Sequence, residues 1–122
     1  MRTTKANRQK FSSIKDRETF LAIQKCGKKW VSKTVIVQTA ENDLGISRLG
    51  FTVTKRISKS AVVRNRIKRR LRAVAADVVG ARGQNGIDYI LVGRNETETV
   101  SFEQLSRDLK WCLKRLELIE EK

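Results

Sequence analysis

Within residues 61–79 the apolar positions Val63, Ile67, Leu71, Val74 and Val78 recur every three or four residues. At 100° per residue they share an arc of roughly 80°, which predicts a helix over 61–79, ending near Gly80, with one stripe turned into a core. The surroundings of that stripe constrain the chain further. Residues 55–72, KRISKSAVVRNRIKRRLR, hold nine Lys/Arg and no acid, and no Asp or Glu occurs between Asp43 and Asp77. Arg64, Asn65, Lys68, Arg69 and Arg72 fan across the side opposite the stripe, while Arg66 and Arg70 lie along its other border. A solvated charged face normally carries acids that pair one turn away, and here there are none. Such a face can neutralise several phosphates at once, and the planar guanidinium fork suits phosphate oxygens. Asn65 could read a base edge or a ribose hydroxyl, or bond locally. The helix must therefore meet a core on one side and a polyanion on the other.

The charge distribution agrees. The chain has 122 residues and a net charge of +14. Residues 1–76 contribute +16 and residues 77–122 contribute −2, so an anionic partner is expected against the first three-fifths. Self-repulsion at this charge points to such a partner. The length fits one domain over 1–122 with a single core. With no histidine, Ser-His-Asp and Cys-His catalysis and His-containing metal sites are excluded. Cys26 and Cys112 are far apart and read as reduced thiols. No apolar run approaches a membrane span, and the basic N-terminus lacks the apolar stretch of a signal peptide. The expected location is the cytoplasm, with no membrane partner.

Along the chain, residues 1–12 read as a loose basic arm. Ser13 and Asp16 have capping-box spacing before a short helix over about 16–26, closed by Gly27. Residues 34–39 are rich in β-branched side chains and predict a strand. In the next strand Leu49, Phe51 and Val53 alternate with Gly50, Thr52 and Thr54, which predicts a half-buried antiparallel partner of 34–39, joined as a hairpin. Residues 83–86 form a loop, and 87–92 (IDYILV) suit a central strand covered on both faces. Ser101 and Gln104 form a second capping box, opening a helix whose apolar positions are Phe102, Leu105, Leu109, Cys112, Leu113 and Leu116. The expected class is α+β, with helices on one side of the sheet.

The run RLGFTVTKR from Arg48 to Arg56, followed by AVVRNRIKR from Ala61 to Arg69, resembles the bacterial ribonuclease P protein subunit family. The core of the likeness is Arg64-Asn65-Arg66 with Lys68-Arg69. Phe20, Ile23 and Gly27 keep the family's spacing, and the stretch from Asp88 to Arg94 resembles its last strand. The likeness spans about residues 15–116. It implies a single-domain α/β sandwich of order α-β-β-β-α-β-α, with a left-handed crossover through the basic helix, like the second domain of a small-subunit ribosomal protein. It further implies a non-catalytic protein that binds a catalytic RNA and the single-stranded 5′ leader of precursor tRNA. Hydrolysis would then belong to the RNA with Mg2+, with no catalytic residue and no metal ligand in the protein.

Carried over by position, Arg64, Asn65, Arg66, Lys68, Arg69 and Arg72 would engage the catalytic RNA or leader phosphates. Phe20, stacking on a base, would line the leader cleft with Lys55 and Arg56; as an aromatic on a helix, Phe20 also reads as core. The chain departs from the family pattern at Gln24, at Val37, where an aromatic commonly faces the cleft, and at Ser58-Lys59-Ser60 before the basic helix. Two other readings use the same helix. One is a ribosomal or assembly protein that only scaffolds RNA, which has no use for a leader-sized groove. The other is a zipper-type DNA-binding helix, disfavoured because no heptad seam follows Arg72; no DNA partner is expected.

Overall fold

The structure, a computed structural model, describes residues 11–14, 17–42, 44–82, 86–116 and 118. Its elements are β1 (Phe11–Ser13), α1 (Arg17–Cys26), β2 (Lys28–Val31), β3 (Val35–Glu41), β4 (Ser47–Thr52), α2 (Ala61–Arg82), β5 (Ile87–Gly93), a 3₁₀ turn (Asn95–Thr97) and α3 (Phe102–Arg115). From α1 onward the order is α-β-β-β-α-β-α, as the family likeness implied, in a mixed α+β domain. The sheet order is β1-β4-β5-β3-β2.

The hairpin expectation fails. β3 pairs antiparallel with β2 on one side and β5 on the other, while β4 runs parallel to β1 and β5. β5 thus separates the two strands expected to be neighbours. Period-two alternation marks β4 as a strand but carries no information about its partner, because either ladder alternates side chains in the same way. α2 is the crossover between the parallel neighbours β4 and β5. The implied order calls for three strands between α1 and α2, but the residue pattern alone marks neither β2 nor β1. β2 is a short edge strand whose Lys-Lys-Trp-Val has no clean alternation, and β1 includes Phe11 and Ser12, which had been assigned to the arm. Residues 1–10 of that arm, and Asp16 of the first capping box, lie outside the described residues.

β5 supplies both faces of the sheet, as its apolar run predicts. Ile87, Tyr89 and Leu91 join the main core with Val35 and Val37 of β3, Ile67, Leu71, Val74 and Val78 of α2, and Leu105, Leu109 and Leu113 of α3. Ile90 turns to the other face and packs with Ile14 and Ile23, beside Phe20, Ala40 and Val92. α1 therefore lies across the sheet from α2 and α3, so helices cover both faces rather than one. Burying each such aliphatic side chain contributes about 2 kcal/mol.

The helix boundaries have local causes. Ser60 accepts from the Val63 amide and starts α2 where the sequence placed it, although α2 runs past Val79 to Arg82. Ser101 accepts from the Gln104 amide, as the capping box predicts. Phe102, counted among the apolar positions of α3, stands exposed at its first turn instead. Among the described residues no helix is long and apolar enough to cross a membrane.

Candidate nucleic-acid interface

The apolar stripe of α2 fixes the rotation of its polar faces. Ile67, Leu71, Val74 and Val78 are at most 1% exposed, so Asn65, Arg69 and Arg72 stand in solvent and Arg64 and Lys68 are half-buried at the margins. Arg64 donates from Nη1 to the Ser58 carbonyl at 2.9 Å, which ties its guanidinium to the loop entering the helix. The guanidinium of Arg72 lies 5.3 Å from the centre of the Phe51 ring, a cation–π contact joining α2 to β4.

The second basic border is different. Arg70 donates to the carbonyls of Thr97, Glu98 and Val100, and Arg66 pairs with Glu98 at 2.6 Å. Arg70 thus clamps the turn that leads into α3. Arg66 stays half-exposed, but on the side turned toward this acidic turn rather than with Arg64, Lys68 and Arg72. Sequence could not reveal this division, since the partner residues lie 27 to 32 positions away.

Where β4 runs on past its pairing with β1, Arg17, Phe20, Leu21 and Gln24 of α1 and Phe51 and Thr52 of β4 line an open hollow. Spacing of three and four residues puts the α1 members on one helical face. Phe20 can lie this close to the sheet because position 50 is glycine. A Cβ there would come within 2.7 Å of Phe20 Cζ and 3.3 Å of Ile14 Cβ. Phe20 is half-buried, so it packs against the smaller core and lines the hollow together. Of the lining residues, only Phe20 was singled out from sequence as a cleft residue; the spacing of Arg17, Leu21 and Gln24 around it is the signal that could have found the others.

Lys55 and Arg56 are exposed in the turn after β4, beyond Thr52, and are not part of that lining. Val37 is corrected: it is fully buried in the main core, facing α2 and α3, while Ile36, Gln38 and Ala40 take the α1 side of β3. A residue shift of one reverses the face. On that side the Gln38 Oε1 is buried without a hydrogen-bond partner.

Other polar groups near the site have structural partners. Arg48 forks onto Asp88, Nε to Oδ1 at 2.8 Å and Nη2 to Oδ2 at 2.7 Å, and Asn42 donates to the same carboxylate. The Cys112 thiol is pushed up to about 11 by burial, with Asp108 adding to the rise and a hydrogen bond involving Ser32 opposing it. It stays protonated at neutral pH and is a poor nucleophile. Among the described residues no three His, Cys, Asp or Glu side chains group so as to hold a metal ion. A cationic helix face and an aromatic hollow meet at Arg72 and Phe51.

Comparison with known proteins agrees with that geometry. The family described as Ribonuclease P matches residues 9–117. The ribonuclease P protein component of Paramagnetospirillum magneticum is 39% identical over 108 residues, spanning 84% of this chain and 80% of that protein. That of Caldanaerobacter subterraneus subsp. tengcongensis is 30% identical over 115 residues, 94% of this chain and 97% of that protein. Among solved structures, the Staphylococcus aureus RNase P protein superposes with a TM-score of 0.76 at 28% identity, covering 91% of this chain and all of that one (100%). The Thermotoga maritima RNase P protein gives 0.73 at 30% identity, over 90% and 99%. With this match along nearly its whole length, the chain belongs to the ribonuclease P protein family, and its place is in tRNA processing as the RNA-binding protein of a ribonucleoprotein.

Proposed function

We propose that this protein binds the catalytic RNA of ribonuclease P through the outer face of α2. We assign the hollow between α1 and β4 to the single-stranded 5′ leader of precursor tRNA. One observation carries the reading: Arg72, on the cationic face of α2, covers the ring of Phe51, which also lines the hollow containing Phe20. A strand whose phosphates meet Arg72 would thus have its bases beside two aromatic rings. Backbone charge and base stacking together are what single-stranded RNA recognition requires.

In this reading Arg64, Asn65, Lys68 and Arg69 hold the catalytic RNA, with Arg66 at its margin and Arg72 at the border with the leader. Lys55 and Arg56, exposed beyond Thr52, extend the leader's path of positive charge. The protein's own residues bind and align, and none is a catalytic residue. Mg2+, held by the RNA, supplies the polarisation of phosphate and attacking water. The protein would act in the cytoplasm, where precursor tRNA is made.

The test is the affinity of the reconstituted ribonucleoprotein for precursor and for mature tRNA. Phe20→Ala, with Phe20→Leu to keep packing volume, is expected to weaken precursor binding about tenfold while leaving mature tRNA binding unchanged. Equal losses for both substrates would make Phe20 a core residue only and remove the leader from the hollow.

A further inference from the structure

Far from the hollow, at the β2 edge of the sheet, Trp30 and Trp111 meet edge to face, with ring centres 5.9 Å apart and planes inclined by 73°. The Arg115 guanidinium lies 5.1 Å from the centre of the Trp30 ring. Trp30 is thus covered by a cation and by its neighbour, whereas Trp111 is 47% exposed. The core of α3 does not need Trp111. Leu105, Leu109, Cys112, Leu113 and Leu116 already fill the buried arc, and Trp111 stands about 100° or more from most of them.

Three cations stand beside Trp111 on the outer face of α3. Arg107, Lys114 and Arg115 fall within about 60° of it around the helix and Lys110 at about 100°; Glu103, at about 80°, lines a hollow with Asp77, Arg107 and Lys110. The acid closest to this group, Asp108, has both carboxylate oxygens engaged, by the Thr34 hydroxyl and the Gln104 amide. Among the described residues none of these four cations has an ion-pair partner. A protruding tryptophan ringed by unpaired cations is the chemistry of a stacked base flanked by phosphates.

We propose that the Trp111 face of α3, backed by Trp30, is a second RNA-binding surface, which stacks an unpaired base of the partner RNA. The inference rests on the assignment of RNA to α2, and it places a separate contact on the part of the chain whose net charge gives no hint of one. It accounts for an exposed indole that neither the core nor the leader hollow uses.

These two residues are the only tryptophans of the chain, so its entire tryptophan emission reports this face. The experiment titrates the full-length protein with a short oligoadenylate and with the ribonuclease P catalytic RNA, reading both emission and affinity. Emission should be quenched by both probes, and Trp111→Ala should weaken catalytic-RNA binding about tenfold, with Trp111→Phe recovering most of it. The triple variant Arg64→Ala/Lys68→Ala/Arg72→Ala should bind more weakly yet still quench at saturation. If that triple variant loses affinity while emission stays constant and Trp111→Ala binds normally, the second surface is refuted and the α2 reading stands. If the triple variant binds as tightly as the parent, the α2 reading itself fails. Emission that changes with protein concentration alone, alongside dimers in sedimentation, would assign the face to a second protein copy and overturn the RNA assignment.

Discussion

Gly50 and Phe20 show how one missing side chain can shape a hollow. A methyl group at position 50 would collide with the far end of the Phe20 ring, and a ring can swing aside at modest cost, so the effect should fall on the hollow more than on stability. Gly50→Ala is expected to lower folding stability by about 1 kcal/mol in urea titrations. The same variant should shrink the preference for precursor over mature tRNA several-fold in the assembled ribonucleoprotein. An unchanged preference would show that the ring's position is immaterial. Single residues were read from sequence with mixed success for physical reasons. Phe20 was recognised as a cleft candidate, but its dependence on Gly50 joins positions 30 apart and has no local signature. Val37 was placed on the wrong face because the β3 register depends on its pairing with β5 and β2, which alternation does not encode.

At the level of elements, α2 was the most legible part of the chain. Its stripe, its N-terminal start and its bare cationic face all follow from 3.6-residue periodicity, and the structure changes only its far end. What the periodicity could not reveal is that the helix spends its two basic borders differently. Arg66 and Arg70 hold the turn before α3, leaving Arg64, Lys68 and Arg72 as the face we assign to RNA. If each of those three meets a phosphate, replacing all three by Ala should reduce the slope of log affinity against log salt by about two units, along with the affinity itself. Titrations of the catalytic RNA at several salt concentrations measure this, and a slope equal to the parent's would remove the face from the interface. Strand order was the least legible feature. β4 and β5 are parallel and adjacent, yet nothing in either segment specifies that β5 inserts between β3 and β4; that choice is made by the long-range packing of α2 over both.

Across the whole molecule, the charge asymmetry acquires a structural explanation. Three acids of the second half make internal contacts, Asp88 with Arg48, Glu98 with Arg66, and Asp108 with Thr34 and Gln104, while Asp77, Glu96 and Glu103 stand exposed. Those contacts tie the scaffold together, and the two ion pairs remove one cation for each acid, so the basic surplus stays on α2 and the first three-fifths of the chain. The result is a sheet that carries a cationic helix on one face and an aromatic hollow at the far end of β4. In the proposed reading such a body holds two RNAs in register and leaves hydrolysis to the RNA. Cleavage of precursor tRNA at low Mg2+, by the protein alone, by the catalytic RNA alone and by the two together, tests that division of labour. The mature 5′ end should form much faster with both than with the RNA alone, and not at all with the protein alone. Cleavage at that end by the protein alone, or no gain from adding it to the RNA, would contradict the account.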